Sequence, residues 1–280
     1  MTIHIENLAF SYKKESIYQS FNADINHAGI YGLFGRNGSG KSTLLKLLSG
    51  LITPKGGEIK VLGYLPRQRL PNFLSQIYIL PEEFHLPDLS PDILGKTHHH
   101  FYPKFDLEHF ANYLEKLEIP SDKRFSQMSL GQKKKSAIAF ALATHTPVLL
   151  MDEPTNGLDI VSREQFKDLM ASPEQSDRIV LISTHQAHDL ERIINHIWFI
   201  DGGQLLLSST IDTLGKQLTM GFSDTDSLPD NVIYQETIGQ QTAWIAPNTS
   251  GTSNKLNMEM LYKALSLNKT DIINAISGEK

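Results

Sequence analysis

Eight consecutive residues, Gly35-Arg36-Asn37-Gly38-Ser39-Gly40-Lys41-Ser42, carry the clearest chemistry in the chain. Glycines at 35, 38 and 40 let backbone N–H groups converge on phosphate oxygens at the start of a helix. Lys41 has the reach to meet the β- and γ-phosphates of a nucleotide, and the Ser42 hydroxyl, followed by Thr43, is placed to ligate Mg²⁺. A glycine turn with a chance lysine is the plain alternative, and context decides against it. Residues 29–34 form a short apolar run that reads as a buried strand, and 42–51 carry leucines at helical spacing. Strand, glycine turn, helix is what a phosphate loop requires.

A second group is Val148-Leu149-Leu150-Met151-Asp152-Glu153. A buried parallel strand ending in carboxylates brings Asp152 near a nucleotide-bound metal, and Glu153, one residue on, can polarise an attacking water as general base. Met128-Ser129-Leu130-Gly131-Gln132 precedes a helix, where a hydroxyl and free amides offer donors to an anion. Taken alone it is an ordinary N-cap. His185 follows the apolar run 179–183 at the carboxyl edge of the sheet, the ligand side of such folds, where it can hydrogen-bond a γ-phosphate.

The elements that must position these groups read as α/β. Ile3, Ile5 and Leu8 mark a first strand and residues 20–25 a second. Between about 86 and 145 the texture becomes helical, with periodicity over 107–117 and 131–143 and prolines at 87, 91, 103 and 120 in the connections. The strand pattern resumes at 148. A helix is expected around 164–170, strands at 179–183 and 197–200, a turn at Asp201-Gly202-Gly203 and a returning strand over 204–207. Residues 1–207 thus form one nucleotide-binding domain with an inserted helical subdomain. Residues 208–280, rich in Ser, Thr, Asn and Asp, form a small accessory region with alternating stretches at 232–236 and 242–246 and a closing helix through Leu256, Met260, Leu261 and Leu265.

The bulk numbers permit this. The chain has 280 residues, 40% of them hydrophobic and 20% charged, as expected of a globular protein with a sizeable core. A net charge of −5 argues against a broad nucleic-acid footprint, and the absence of cysteine removes disulfides and thiolate metal sites. No apolar run approaches the roughly 18 residues of a spanning helix, and no basic segment with an apolar core opens the chain, so a cytoplasmic location is expected.

Together these residues resemble the nucleotide-binding subunits of ABC transporters, over about residues 1–207. The likeness comprises the Walker A loop, Walker B with its glutamate, a Ser-Leu-Gly-Gln form of the signature, the D-loop Gly157-Leu158-Asp159, the switch histidine His185, and Tyr12 where the family stacks an aromatic on adenine. It implies an ABC-type P-loop fold, ATP and Mg²⁺, and a head-to-tail pairing with a second copy or a closely related ATPase subunit. ATP held by residues 35–43 and Asp152 of one subunit would meet Ser129, Gly131 and Gln132 of the other, with Asp159 at the seam. Glu153 would be the base and His185 would hold the γ-phosphate. A separate transmembrane permease would keep the subunit peripheral on the inner membrane face, with no nucleic-acid partner. Two positions depart from the family pattern. Glu82 stands where the Q-loop glutamine belongs, as a metal contact that cannot donate as an amide does, and Leu130 replaces the first signature glycine. The runs Leu80-Pro81-Glu82-Glu83, Phe101-Tyr102-Pro103-Lys104-Phe105-Asp106 and Ser129-Leu130-Gly131-Gln132-Lys133-Lys134-Lys135 look closest to bacterial exporter-type subunits, including those linked to antibiotic response.

Two other readings stay open at this stage: a soluble ABC ATPase acting on ribosomes or nucleic acid, and a regulatory module that binds ATP but scarcely hydrolyses it. The single cassette, and the short stretch between Lys41 and Ser129 without sustained heptads, weigh against the first. His98-His99-His100 is expected to be solvated rather than metal-binding, since adjacent side chains do not converge. Lys133, Lys134 and Lys135 are expected to fan out as a solvated helix start, and Trp198 and Trp244 to be core.

Overall fold

The computed structural model describes residues 2–224 and 228–277. The chain opens with β1 (Ile3–Tyr12) and β2 (Glu15–Ile25), followed by β3 (Gly29–Phe34), α1 (Lys41–Leu48) and β4 (Gly56–Val61). A single turn α2 (Pro71–Leu74) leads into β5 (Ile77–Leu80), and the inserted helices α3 (Pro91–His98), α4 (Leu107–Lys116) and α5 (Leu130–Ala143) follow. Then come β6 (Val148–Asp152), α6 (Ile160–Met170), β7 (Ile179–Ser183), the short α7 (Ala187–Leu190), β8 (His196–Asp201) and β9 (Gln204–Thr210). The last stretch holds α8 (Ile211–Gln217), β10 (Leu218–Ser223), β11 (Tyr234–Ile238), β12 (Gln241–Pro247), α9 (Met258–Leu267) and α10 (Lys269–Ser277).

These strands make three sheets. A six-stranded sheet runs β5-β6-β7-β3-β8-β9, parallel except for β9, which returns antiparallel on β8. A three-stranded antiparallel sheet, β2-β1-β4, and a second one, β10-β12-β11, complete the set.

Strand periodicity builds the two cores. The parallel strands are buried on both faces, which is why they read as unbroken apolar runs. Their side chains nevertheless sort by alternation. Tyr31, Leu33, Val148, Leu150, Ile179, Leu181 and Trp198 pack with α1 and the β1–β2–β4 sheet. Ile30, Phe34, Leu149, Met151, Val180, Ile182 and Phe199 join the other core, which the inserted helices and the C-terminal elements cover. Leu214, Leu218, Ile245, Leu261 and Leu265 of the last stretch belong to that same cluster. Tyr262 of α9 packs edge-on against Phe199 with centroids 5.7 Å apart, and α9 also touches α7.

Several expected elements are longer than read: β2 begins at Glu15, and α6 begins at Ile160 because Asp159 caps it through Ser162 N–H at 2.7 Å. Trp198 is core, but Trp244 is only half-buried, lying over Gly221 and donating from Nε1 to Ser223 Oγ at 2.9 Å. The lysine run needs a firmer correction. Lys134 is 5% exposed, because α5 is buried on almost every face and its ammonium has a carbonyl to reach inside. No described helix is long and apolar enough to cross a membrane.

Candidate functional site

The phosphate loop is shaped by contacts that tolerate no side chain. A Cβ at Gly35 would collide with the carbonyl oxygen of Ile200, and one at Gly40 with the Tyr18 hydroxyl, which donates to Gly40 O at 2.9 Å. Gly40 opens α1 at φ +103 with no side-chain cap, so the first-turn amides of α1 lack a capping partner. Lys41, 7% exposed, folds over the loop and donates from Nζ to Gly35 O at 2.8 Å and Arg36 O at 3.2 Å. Burial lowers its pKa, an effect that Glu153, Asp152 and Glu82 partly offset. The Ser39 hydroxyl is buried with no partner among the described residues. An unpaired buried hydroxyl beside a lysine that bonds only loop carbonyls is a cradle suited to phosphate oxygens.

β6 delivers the acidic pair. Asp152 is 5% exposed, and its carboxylate accepts a short hydrogen bond from Ser183 Oγ on β7. Glu153 lies at φ +47, in the left-handed region. Its N–H donates to Ser183 O at 3.0 Å, and its carboxylate Oε1 lies 2.9 Å from His185 Nδ1. Glu82, after β5, accepts from Asn156 Nδ2 at 2.7 Å.

These groups share one cleft of about 600 Å³. Tyr12, Asn37, Gly38, Gly40, Lys41, Ser42, Thr43, Glu82, Glu153 and His185 all line it, with Asn156, Glu15 and Ile17. Arg36 and Ser39 line an adjoining cleft beside Asp201–Gln204, while Gly35 and Asp152 lie behind the surface. Tyr12 is 43% exposed and rests edge-on against Phe10.

Ser129, Gly131 and Gln132 do not line this cleft. Ser129 Oγ accepts from Gln132 N–H, and Gln132 Oε1 accepts from Ser129 N–H at 3.1 Å, a reciprocal capping box at the head of α5. Leu130 points outward at 74% exposure, and Gly131 lies beside Gly157.

Sequence reasoning missed three contributors. Ser183 was read only as the end of a strand, Asn156 was not singled out, and Lys134, which donates to Glu153 O at 2.7 Å, was read as solvated. Only the Ser183 strand, adjacent to the acidic pair in a parallel sheet, left a signal that could have found its residue. In the histidine triplet, His98 Nδ1 lies 3.2 Å from Leu94 O and His99 Nδ1 lies 3.3 Å from Gly95 O, both carbonyls of α3. Among the described residues no group of three His, Cys, Asp or Glu side chains is set to hold a metal.

Comparison with known proteins agrees with this geometry. The family described as ABC transporter matches residues 18–156. The ABC transporter ATP-binding protein YtrB of Bacillus subtilis (strain 168) is 30% identical over 233 residues, covering 80% of this chain and 78% of the relative. The lantibiotic transport ATP-binding protein SrtF of Streptococcus pyogenes is 31% identical over 223 residues, covering 75% and 91%. The bacitracin transport ATP-binding protein BcrA of Bacillus licheniformis is 28% identical over 222 residues, covering 77% and 72%. The fold matches a solved ATP-binding subunit of an ABC transporter with TM-score 0.68 at 23% identity, over 76% of this chain and 92% of that one. It also matches the dimeric, post-hydrolysis ATP-binding cassette MJ0796 bound to ADP and Pi, with TM-score 0.65 at 21% identity, over 74% and 98%. With a phosphate loop, an acidic strand end and a histidine gathered on one cleft, the chain belongs to the ATP-binding subunits of ABC transporters and is an ATPase that powers transport.

Proposed function

We propose that this subunit drives an exporter, working as a head-to-tail pair on the cytoplasmic face of a membrane and docked to a separate permease. One observation carries the pairing. Lys41, Ser42, Glu153 and His185 converge on a single cleft, while Ser129–Gln132 are not among its lining residues and Leu130 is exposed. Ile160 and Val161, 82% and 65% exposed at the head of α6, are further apolar side chains on the surface with Leu130. Apolar residues so exposed suit burial against a second subunit.

In this reading residues 35–43 hold the phosphates and Tyr12 faces the adenine. Ser42 and Asp152 would hold Mg²⁺, with Glu82 at the same cleft. The ion would neutralise charge on the β- and γ-phosphate oxygens. A hydroxyl and a carboxylate are oxygen donors suited to Mg²⁺, which binds through one or two carboxylates together with phosphate and water. Glu153 takes the proton of the attacking water, and His185 holds both the Glu153 carboxylate and the γ-phosphate side of the cleft. Residues 208–280 act as an accessory region on the ATPase domain.

A groove of about 660 Å³ lined by Leu51, Leu74, Tyr78, Phe101 and Tyr102, with Phe101 65% exposed, supports docking of the permease there. Export, rather than import, is supported by relatives named Nod factor export ATP-binding protein I.

Sedimentation of Glu153→Gln with Mg-ATP tests the pairing: an ATP-dependent dimer is expected, and a monomer at saturating ATP counts against it. Co-expression with a candidate transmembrane permease tests docking. Phe101→Asp should lose the co-purified permease while retaining ATP turnover.

A further inference from the structure

We propose that Lys134 is a positioning residue for hydrolysis, holding the backbone of Glu153 in the conformation that aims its carboxylate into the cleft. The proposal rests on the reading of Glu153 as the base.

Glu153 sits at φ +47, a conformation unfavourable for a residue with a Cβ. It persists only where its surroundings over-determine it. The N–H is taken by Ser183 O at 3.0 Å, across the sheet. The left-handed turn carries the carbonyl toward α5, where it accepts from Lys134 Nζ at 2.7 Å and from Asn156 N–H at 3.2 Å. Lys134 is the one side chain in this set of donors. It is 5% exposed and lowered in pKa, by burial first, with Glu82, Glu153 and Asp152 opposing that shift. An ammonium withdrawn from water to meet one backbone oxygen is a costly arrangement unless that oxygen must be held. The helix that presents Ser129 and its capping box is thereby tied, through one side chain, to the base of its own subunit's site.

The hydrolytic step, not ATP capture, should depend on this tie. Lys134→Met keeps the apolar stem and removes the donor; Lys134→Arg keeps a charged donor. Steady-state turnover of the full chain is expected to show kcat falling about tenfold or more in Lys134→Met, with KM for ATP within about threefold, and partial recovery in Lys134→Arg. In a Glu153→Gln background, Lys134→Met should still form the ATP-dependent dimer, since binding and pairing do not use the Glu153 carbonyl. Unchanged kcat in Lys134→Met overturns the proposal. So does a parallel loss of ATP binding, dimer and melting temperature, which would mark a structural role only. If Glu153→Gln itself turns over like the wild type, the base assignment falls and takes this proposal with it.

Discussion

His185 Nδ1 lies 2.9 Å from Glu153 Oε1, joining a histidine whose side chain is 40% exposed to a carboxylate that is 10% exposed. Both line the phosphate-loop cleft, so in the proposed mechanism the more exposed imidazole is the outer partner of a shielded base. Arg163 of α6 donates to Gln186 Oε1 at 2.7 Å, next to His185.

Replacing His185 with Ala should therefore slow phosphate release about 10²- to 10³-fold while altering ATP affinity far less, the magnitude expected for losing one polar group at the reacting centre. Single-turnover phosphate release is the measurement, and a rate within twofold of wild type would remove His185 from the mechanism.

Ser183→Ala deletes the hydroxyl that donates to the buried Asp152 carboxylate and lies 3.3 Å from Glu153 N. A destabilisation of about 1–3 kcal/mol is expected for a buried charged acceptor left short of a donor. Urea unfolding should show it, together with a higher Mg²⁺ requirement for turnover. A variant equal to wild type in both would show that Asp152 does not depend on β7.

Gly35 and Gly38 offer a paired test of the loop. At Gly35 an added Cβ meets the Ile200 carbonyl, whereas at Gly38, φ +79, nothing lies within 4 Å. Gly38→Ala should cost roughly 1 kcal/mol of backbone strain and leave ATP binding measurable. Gly35→Ala should displace the loop and abolish it. Fluorescent-nucleotide titration separates them, and equal affinities would refute the steric account.

Stability should fall on mild acidification because of His145. Its pKa lies below the usual 6.5, chiefly through burial, then through Arg178 and His109, whose Nδ1 is 2.9 Å from His145 Nε2. Asp106 and Glu174 pull the other way, more weakly. As pH drops through about 6.5 the unfolded chain takes up a proton that the folded chain resists, so the unfolded state binds more protons and stability declines below that pH. Urea midpoints at pH 7.5 and 5.5 should differ in wild type, and His145→Gln should shrink the difference. An undiminished slope would assign it to other groups.

The legible parts of this site were those fixed by local chain geometry. The glycine loop, the acidic end of β6 and the N-cap at Ser129 each lie within a few residues, and the spacing that reveals them is the spacing that builds them. Lys134 was illegible because its environment comes from elsewhere: no pattern in three consecutive lysines tells that α5 lies against the turn after β6 and offers one of them a carbonyl. The Glu82–Asn156 contact spans 74 positions and was invisible for the same reason. β4, β5, β10, α2, α7, α8 and α10 went unread, being short or edge elements whose apolar content is set by packing rather than by period.

The alternation along β6 and β7 makes the central sheet a partition with addresses written in parity. On β6 the even positions Val148 and Leu150 face the phosphate-loop helix, while the odd positions Leu149 and Met151 face the inserted helices. On β7 the assignment inverts, with Ile179 and Leu181 on the nucleotide-gripping side and Val180 and Ile182 on the other. The phosphate-loop helix and the inserted helices thus rest on separate sets of buried residues on a shared backbone, and substitutions can tune one side's packing while the other keeps its own contacts.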